Sequence, residues 1–347
     1  MSIRLRSGVP AYGIDLSDAS IKVVQLTAGK QPKIVVAETA AMPDGALQAG
    51  DIIDEAQAAQ AITALLSKHH AKLSSAAVVS LPETKTFVQT ISVPKHGAAS
   101  FQDQLRQALP QYLPLPLLEA VYDASILHES SDAWTVYVGA APKKVVDAYV
   151  RLLERARVPV IALDVQASAL ARACIPVEKE RRIYAIVDIG QHWANLILVD
   201  AGAVQFTVSL PVSGNAITEQ LASTLSITQE QAEEAKRMCG IDPKKCEGVI
   251  GVILQDLVTT LIKRISAARD FFQDHFPAAR DFDAIILCGG GSTLFNLDAT
   301  LAQALHVPVR LANPAAVLGL SETPVPSLLP FSAAIGLAAR GDTIDSV

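Results

Sequence analysis

The chain has 347 residues, half of them hydrophobic and 18% charged, with a formal net charge of -6 and a positive mean hydropathy. That length exceeds what one hydrophobic core usually supports, so two lobes are expected. The composition excludes disorder, and the lack of long like-charge runs argues against a nucleic-acid groove or a polybasic membrane patch, the basic MSIRLR start being too short to anchor anything alone. The most hydrophobic stretch, residues 158–177, contains Asp164, Gln166 and Arg172; burying these in lipid is too costly for a spanning helix. No apolar leader precedes Pro10, so the expected compartment is the cytoplasm. Cysteines 174, 239, 246 and 288 have no metal-ligand spacing and are expected to be reduced, buried thiols.

In chain order, the first elements are part of an internal repeat. AYGIDLSDASIKVVQLTAGK (11–30) lies over YAIVDIGQHWANLILVDAGA (184–203) without a gap, matching Asp15 with Asp188 and Gly29 with Gly202. In each copy an apolar strand ends in Asp, a polar turn follows, and alternating apolar residues form a second strand. A third strand follows in both, KIVVAETAAMP and AVQFTVSLPVS, so each copy predicts a three-stranded antiparallel meander with its Asp at the first hairpin. After the first meander, residues 55–70 read as a helix, VVSLP as a strand, 142–157 as a helix and PVIALDV as a strand, a mixed α/β pattern. From about 83 to 160 a different texture interrupts. KTFVQTISVP reads as a strand, 100–112 as a helix, and AVYDASIL and WTVYVGAA as a strand pair joined by the charged turn HESSDA. After the second meander, 215–236 and 248–272 read as long helices, and DFDAIILCGGGS returns to a buried strand. A loop with four prolines spans 313–330, and PFSAAIGLAARG closes as a helix capped by Gly341.

The chain lacks a GxxxxGK[ST] loop, a GxGxxG after the first strand and a kinase catalytic-loop signature. Three turns remain that suit a phosphate chain. In the first, Asp15 to Ser20, backbone N–H groups and the hydroxyls of Ser17 and Ser20 face an anion, with Lys22 as a point charge. Asp15 would hold Mg2+ through water. The second turn offers Asp188 as a second metal-facing carboxylate and Gly190 for close backbone approach; His192 reads as a turn residue rather than a base. In the third, Gly289, Gly290, Gly291 and Ser292 follow an apolar strand, placing backbone flat against an adenine or a phosphate. Glu233 and Lys236 lie three apart on a helix opened by the capping pair Thr228 and Gln231, and beside a nucleotide they would hold ribose hydroxyls. No residue stands out as catalytic.

In this order, GIDLSDASIK, VDIG, the AEEAK helix and ILCGGGS resemble the phosphate-1, phosphate-2, ribose and adenosine motifs of the actin, heat-shock chaperone and sugar-kinase superfamily. Within it the chain resembles the PilM family of bacterial type IV pilus assembly from about residue 11 to 341. Matching segments include SLPETKTFVQTISVP, GAAPKKVVDAYVRLLERA, IALDVQASALARA, SGNAITEQLASTLSITQEQAEEAKR and FSAAIGLAARG. The resemblance implies an actin-like ATPase fold, two lobes with duplicated mixed sheets flanked by helices, and an inserted α+β subdomain of the kind shared with the division protein FtsA. The expected domains are 1–82 for the first-lobe core, continued at 161–182, 83–160 for the insert, 183–327 for the second lobe, and 328–347 for a C-terminal helix returning to the first.

The same resemblance implies ATP and Mg2+ in the cleft between the lobes, contacted by Asp15, Ser17, Ser20, Lys22, Asp188, Gly190, Glu233, Lys236, Gly289, Gly290, Gly291 and Ser292, with Asp15 and Asp188 facing the metal. It implies an adaptor at the inner membrane, held there through the N-terminal cytoplasmic peptide of a PilN-like protein and coupled to the pilus assembly ATPases. Two departures bear on activity. Gln191, His192, Trp193 and Ala194 replace the small and hydroxyl residues usual in the second loop, which favours ATP binding over hydrolysis; Ser17 stands where many relatives carry Gly. The alternatives weighed are a related type II secretion component, a sugar or carboxylate kinase of the same fold, which would need a substrate cluster the first lobe lacks, and an FtsA-like protein, which would need an amphipathic anchor beyond GDTIDSV.

Overall fold

The computed structural model describes residues 10–29, 31–97, 100–276 and 280–340. Its chain divides into two compact units: unit 1 draws on Met1–Pro176, Ala203–Thr207 and Pro314–Val347, and unit 2 on Val177–Gly202 and Val208–Asn313. The basic start of the chain and Gly341 with the residues after it lie outside the described residues.

Unit 1 opens with the expected meander of β1 (Ala11–Leu16), β2 (Ser20–Leu26) and β3 (Ile34–Ala41), antiparallel throughout. The short strands β4 (Leu47–Gln48) and β5 (Asp51–Ile52) pair with each other. Helix α1 (Glu55–Ser67) starts where the Asp54 carboxylate accepts the Gln57 N–H at 2.9 Å, satisfying a first-turn donor that has no partner inside the helix. Strand β6 (Ala76–Leu81) then runs parallel to β1. After β7 (Phe87–Pro94), α2 (Phe101–Ala108), β8 (Ala120–Glu129), β9 (Ala133–Pro142) and α3 (Lys143–Arg155), β10 (Val160–Val165) pairs parallel with β6, and α4 (Gln166–Cys174) follows. The sheet order is therefore β10-β6-β1-β2-β3. The helix expected over 100–112 stops at Ala108 and tightens into a 3-10 turn, Leu109–Gln111, because Pro110 has no N–H to continue the ladder.

Two of the hydrophobic clusters in this unit serve different parts of it. Ile14, Ile21, Val23 and Val79 of the sheet pack with Ile62 of α1 and Tyr149, Leu152 and Leu153 of α3. The segment from β7 to β9 has its own cluster of Ile91, Val93, Leu105, Leu109, Val136 and Val138, built because α2 lays Leu105 on the antiparallel trio β7-β9-β8.

Unit 2 starts with the second repeat copy, β11 (Ile183–Ile189) and β12 (Ala194–Asp200), paired antiparallel. The third strand, β13 (Ala203–Leu210), gives its first five residues to unit 1, where Phe206 pairs with Gln89 of β7. The helix expected over 215–236 is two helices, α5 (Gly214–Leu225) and α6 (Gln229–Cys239). Ser226 turns left-handed at φ 52° and ends α5, and a complete capping box of Thr228 and Gln231 opens α6. The helix expected over 248–272 is likewise divided, into α7 (Val249–Ile253) and α8 (Gln255–His275). Strand β14 (Ala284–Cys288) runs parallel to β11 and to β15 (Val309–Leu311), with α9 (Leu297–Leu305) between them in sequence.

The expectation of four reduced thiols fails at one pair. Cys239, the last residue of α6, is joined to Cys246 by a disulfide, with Cα atoms 5.8 Å apart; Cys174 and Cys288 are not in a disulfide, and both are buried. The proximity comes from a reversal that no spacing rule encodes. Gly240 ends α6 at φ 55°, and the turn at Asp242 brings the chain back to Cys246.

The chain returns to unit 1 with α10 (Pro314–Leu318) inside the expected proline-rich loop and α11 (Ser332–Arg340). Helix α11 lies on β1 and α4 without room for side chains at two points. A Cβ on Gly13 would strike Ala334 O, and one on Gly336 would strike Ala169 O. A buried ion cluster then fixes the end of the helix: Asp164, 6% exposed, receives Arg340 at 2.9 Å and Arg172 at 3.3 Å, and Arg172 also donates to Gly336 O at 2.6 Å. Gly336→Val is expected to lower unfolding stability by about 3 kcal/mol, because the helix must back away from α4; a urea melt with an unchanged midpoint would contradict this packing.

Candidate functional site

In unit 1 the first hairpin places Asp15 at the inner end of β1, 3% exposed. A buried carboxylate is costly unless donors surround it, and two side chains provide them. Ser80 Oγ of β6 donates to Asp15 Oδ1 at 3.0 Å, and Lys22 Nζ of β2 approaches Oδ2 at 3.4 Å. Ser80 also accepts the Leu16 N–H at 3.2 Å, so it ties both the backbone and the carboxylate at the strand end. The sequence reading missed Ser80, which lies inside an apolar strand and becomes legible only through parallel pairing of β6 with β1.

The turn itself is closed by its own hydroxyls. Ser17 N donates to Ser20 O at 2.9 Å, and Ser17 Oγ lies 3.1 Å from Ser20 O, from Ser20 Oγ and from the Ser20 N–H. Asp18, which lies in the predicted turn but was given no role of its own there, accepts the Ala49 and Gly50 N–H groups at 2.7 and 3.1 Å. Thus the hairpin is clamped to the β4–β5 segment, and Tyr149 OH donates to Gly50 O from below at 3.2 Å. Burial, with Asp18, Asp15 and Asp51 adding like charge, pushes the Tyr149 hydroxyl well above the usual tyrosine range, so it stays a proton donor.

Unit 2 repeats the arrangement with different atoms. Asp188 ends β11, half-buried, opposite Cys288 in the parallel register with β14, and Cys288 Sγ lies 3.6 Å from Asp188 Oδ1. The turn after it closes by Gly190 N donating to Trp193 O at 2.9 Å, and it abuts the start of α5, where Gly214 N donates to Gly190 O and Asn215 N to Gln191 O, each at 2.9 Å. Ser213 caps this helix by accepting the Ala216 N–H. Trp193 is 48% exposed, and His192 is exposed with Nδ1 3.5 Å from Asn215 Nδ2.

The glycine run after β14 has distinct duties at each position. Gly289 has φ 80°, and a Cβ there would run into Asp188 Oδ1 and Ile189 O; a Cβ on Gly291 would lie 2.5 Å from Ile189 Cγ2. These two glycines are required by the end of β11 beneath them. Gly290 has open space where its Cβ would be. Ser292 is buried, and its hydroxyl donates to Gly289 O at 2.7 Å, shaping the loop.

Glu233 and Lys236 are brought together, but not as a solvated pair. Lys236 Nζ contacts Glu233 Oε2 and donates to Thr218 Oγ1 at 2.9 Å and Gly214 O at 3.2 Å, while Thr218 Oγ1 lies 2.8 Å from Glu233 Oε2. The group locks α6 onto the first turn of α5. Burial raises the Glu233 carboxyl, but the Lys236 and Thr218 hydrogen bonds outweigh it and leave it below the usual glutamate range. Such a depressed carboxyl contributes stability above the unfolded glutamate pKa of about 4.3 and loses it as pH falls through its lower folded value. Glu233→Gln should therefore destabilise unit 2 at neutral pH and flatten the loss of stability on acidification; parallel acid limbs for the variant and the wild type, measured by urea midpoints, would contradict the pairing.

Strand-ending aspartates on repeated hairpins, mixed sheets flanked by helices and a glycine loop after β14 define the class: this is an actin-like ATPase fold. Solved structures agree. The chain is similar to a PilM-PilN type IV pilus biogenesis complex, 24% identical over 96% of this chain and 99% of that one, TM-score 0.80. It is also similar to MreB5 of Spiroplasma citri bound to ADP, 11% identical over 98% and 100%, TM-score 0.55, and to the ethanolamine utilization protein EutJ of Carboxydothermus hydrogenoformans, 15% identical over 97% and 93%, TM-score 0.54. Cell division protein FtsA of Pseudomonas aeruginosa is 24% identical over 187 residues, 47% of this chain and 43% of that protein, so the match spans less than half of that curated relative. The family model of type IV pilus assembly protein PilM matches residues 13–342. The chain belongs to that family. Among the described residues, no helix is long and apolar enough to cross a membrane.

Proposed function

We propose that this chain is a Mg-ATP-binding adaptor of type IV pilus assembly, working on the cytoplasmic side of the inner membrane. It receives the N-terminal cytoplasmic tail of a PilN-like protein and links that membrane platform to the assembly ATPases. The observation that carries the reading is the family match over 13–342 together with an aspartate-ended hairpin in each copy of the repeat. A related complex of PilM with PilN supports the partner, and an ADP-bound MreB5 of the same fold supports the nucleotide.

The residues present fit such a ligand. Gly290 leaves room for a flat group beside backbone amides, and Lys22, its ammonium 3.4 Å from Asp15, is poised to exchange a long ion pair for a phosphate oxygen. Among the described residues, no group of three or more His, Cys, Asp or Glu side chains is arranged to hold a metal. Mg2+ keeps water and phosphate in most of its shell; bound there, it would neutralise phosphate charge. In this reading Asp15 and Asp188 face the metal's waters; Lys22 and the amides of the Ser17–Ser20 and Gly190 turns take phosphate. Glu233 and Lys236 take ribose, and Gly289, Gly290 and Gly291 take adenosine, with Ser292 holding that loop in shape. The role supported is binding rather than hydrolysis, because the second turn presents Gln191, His192 and Trp193 where hydroxyl donors would be needed.

Isothermal titration with Mg-ATP, repeated with a synthetic PilN-like tail peptide, tests both halves of the reading. Asp188→Ala is expected to weaken Mg-ATP by about tenfold or more while the fold persists. Gly290→Ala, which the fold has room for, is expected to weaken it comparably through lost backbone approach; unchanged affinity in both variants would remove these turns from the site. Peptide binding absent in the presence and absence of nucleotide would count against the adaptor.

A further inference from the structure

The Cys239–Cys246 disulfide is built into the part of unit 2 that the nucleotide reading uses. Cys239 lies one helical turn beyond Lys236, whose ammonium holds the α5–α6 contact. On its other side the cross-linked segment grips the chain that follows the glycine loop. Ile241 N donates to Phe295 O at 2.9 Å, Gly240 lies so close that a Cβ would overlap Phe295, and Lys245 Nζ stands 3.5 Å from the centre of the Phe295 ring. Phe295 is three residues past Ser292. The segment 240–248 is thus a clasp between the Glu233–Lys236 pair and the glycine loop.

Its two cysteine residues are unequally exposed. Cys239 is 2% exposed, whereas Cys246 is at the surface. Cys246 and Glu247 both carry left-handed backbone, φ 47° and 55°, ahead of Gly248 at 74°. Side chains disfavour that region, so without its covalent tie this turn has an incentive to relax.

We propose that Cys246 is a thiol–disulfide exchange site through which a dithiol opens this clasp and weakens nucleotide binding, an extension that rests on the nucleotide reading above. A thiolate of the dithiol attacks the sulfur of Cys246, the more exposed residue of the pair, and forms a mixed disulfide, and the Cys239 sulfur leaves with the electron pair and takes a proton. The second thiol of the reagent then displaces Cys246, which is protonated in turn. Two electrons and two protons pass to the protein, the reagent ends as its own disulfide, and residues 240–248 are freed from their covalent anchor. In a reducing compartment this is the behaviour of a sensing rather than a structural disulfide.

The test compares wild-type protein equilibrated with oxidised glutathione and with dithiothreitol, with the state of both cysteines read by mass spectrometry. Hydrogen exchange over 240–248 and 293–297 and titration with Mg-ATP are then measured in each state. The expected result is a disulfide in the first state, faster exchange in both segments after reduction, and nucleotide affinity lower by about fivefold or more. Cys246→Ser should behave as reduced protein and ignore dithiothreitol. Free thiols under oxidising conditions, or exchange that does not change on reduction, would overturn the clasp. Altered exchange with equal affinity would overturn its coupling to nucleotide. If Mg-ATP binds in neither state, the nucleotide reading and the coupling both fail, while exchange still decides whether the clasp opens.

Discussion

A carboxylate at the end of a buried strand has to be supplied with donors by whatever strand lies beside it, and much of this structure follows from meeting that requirement twice. Asp15 is almost fully buried, and parallel pairing of β6 with β1 brings Ser80 to its Oδ1. Asp188 is paired in parallel register with Cys288, whose thiol lies 3.6 Å from its Oδ1. The internal repeat therefore extends beyond the hairpins that carry sequence similarity. It includes a parallel strand from later in each copy, supplying a hydroxyl in one case and a thiol in the other. A thiol is a weaker donor than a hydroxyl.

Close backbone approach is the complementary constraint. Gly13 and Gly336 let α11 and α4 settle against unit 1's sheet, and Gly289 and Gly291 let the loop after β14 fold over the end of β11. In both units the strand that bears the aspartate is held at distances that exclude a side chain. A side chain at any of these four glycines would displace its neighbours, whereas Gly290 has open space where a Cβ would stand.

Much of this was legible in the sequence because it is local. The hairpins follow from alternation and turn residues, and the start of α6 from Thr228 and Gln231. The actin-like fold followed from the order of four short motifs, and the pilus family from longer segments such as SLPETKTFVQTISVP and GAAPKKVVDAYVRLLERA. What was not legible is long-range or stereochemical. Nothing near Ser226 announces a left-handed residue strongly enough to split one apparent helix into two, since Ser is tolerated in helices. The break at Leu254 is hidden inside an apolar run. Ser80 and Thr218 gain their importance from partners 65 and 15 residues away, and the cysteine pair from a reversal at Gly240 that brings two otherwise unremarkable positions together.

The separate hydrophobic cluster of the β7–β9 segment has a bearing on how the chain reaches its structure. Strands β6 and β10 are neighbours in one sheet, yet residues 82–159 intervene. Closing so long a flexible loop delays parallel pairing, since its entropy is lost before any contact rewards it. A separate core around Leu105 and Val136 makes the β7–β9 part of that loop compact, and α3, packed on the sheet through Tyr149 and Leu152, carries the chain back towards β10. Compaction of this segment shortens the effective loop that must close before β10 covers the outer edge of β6.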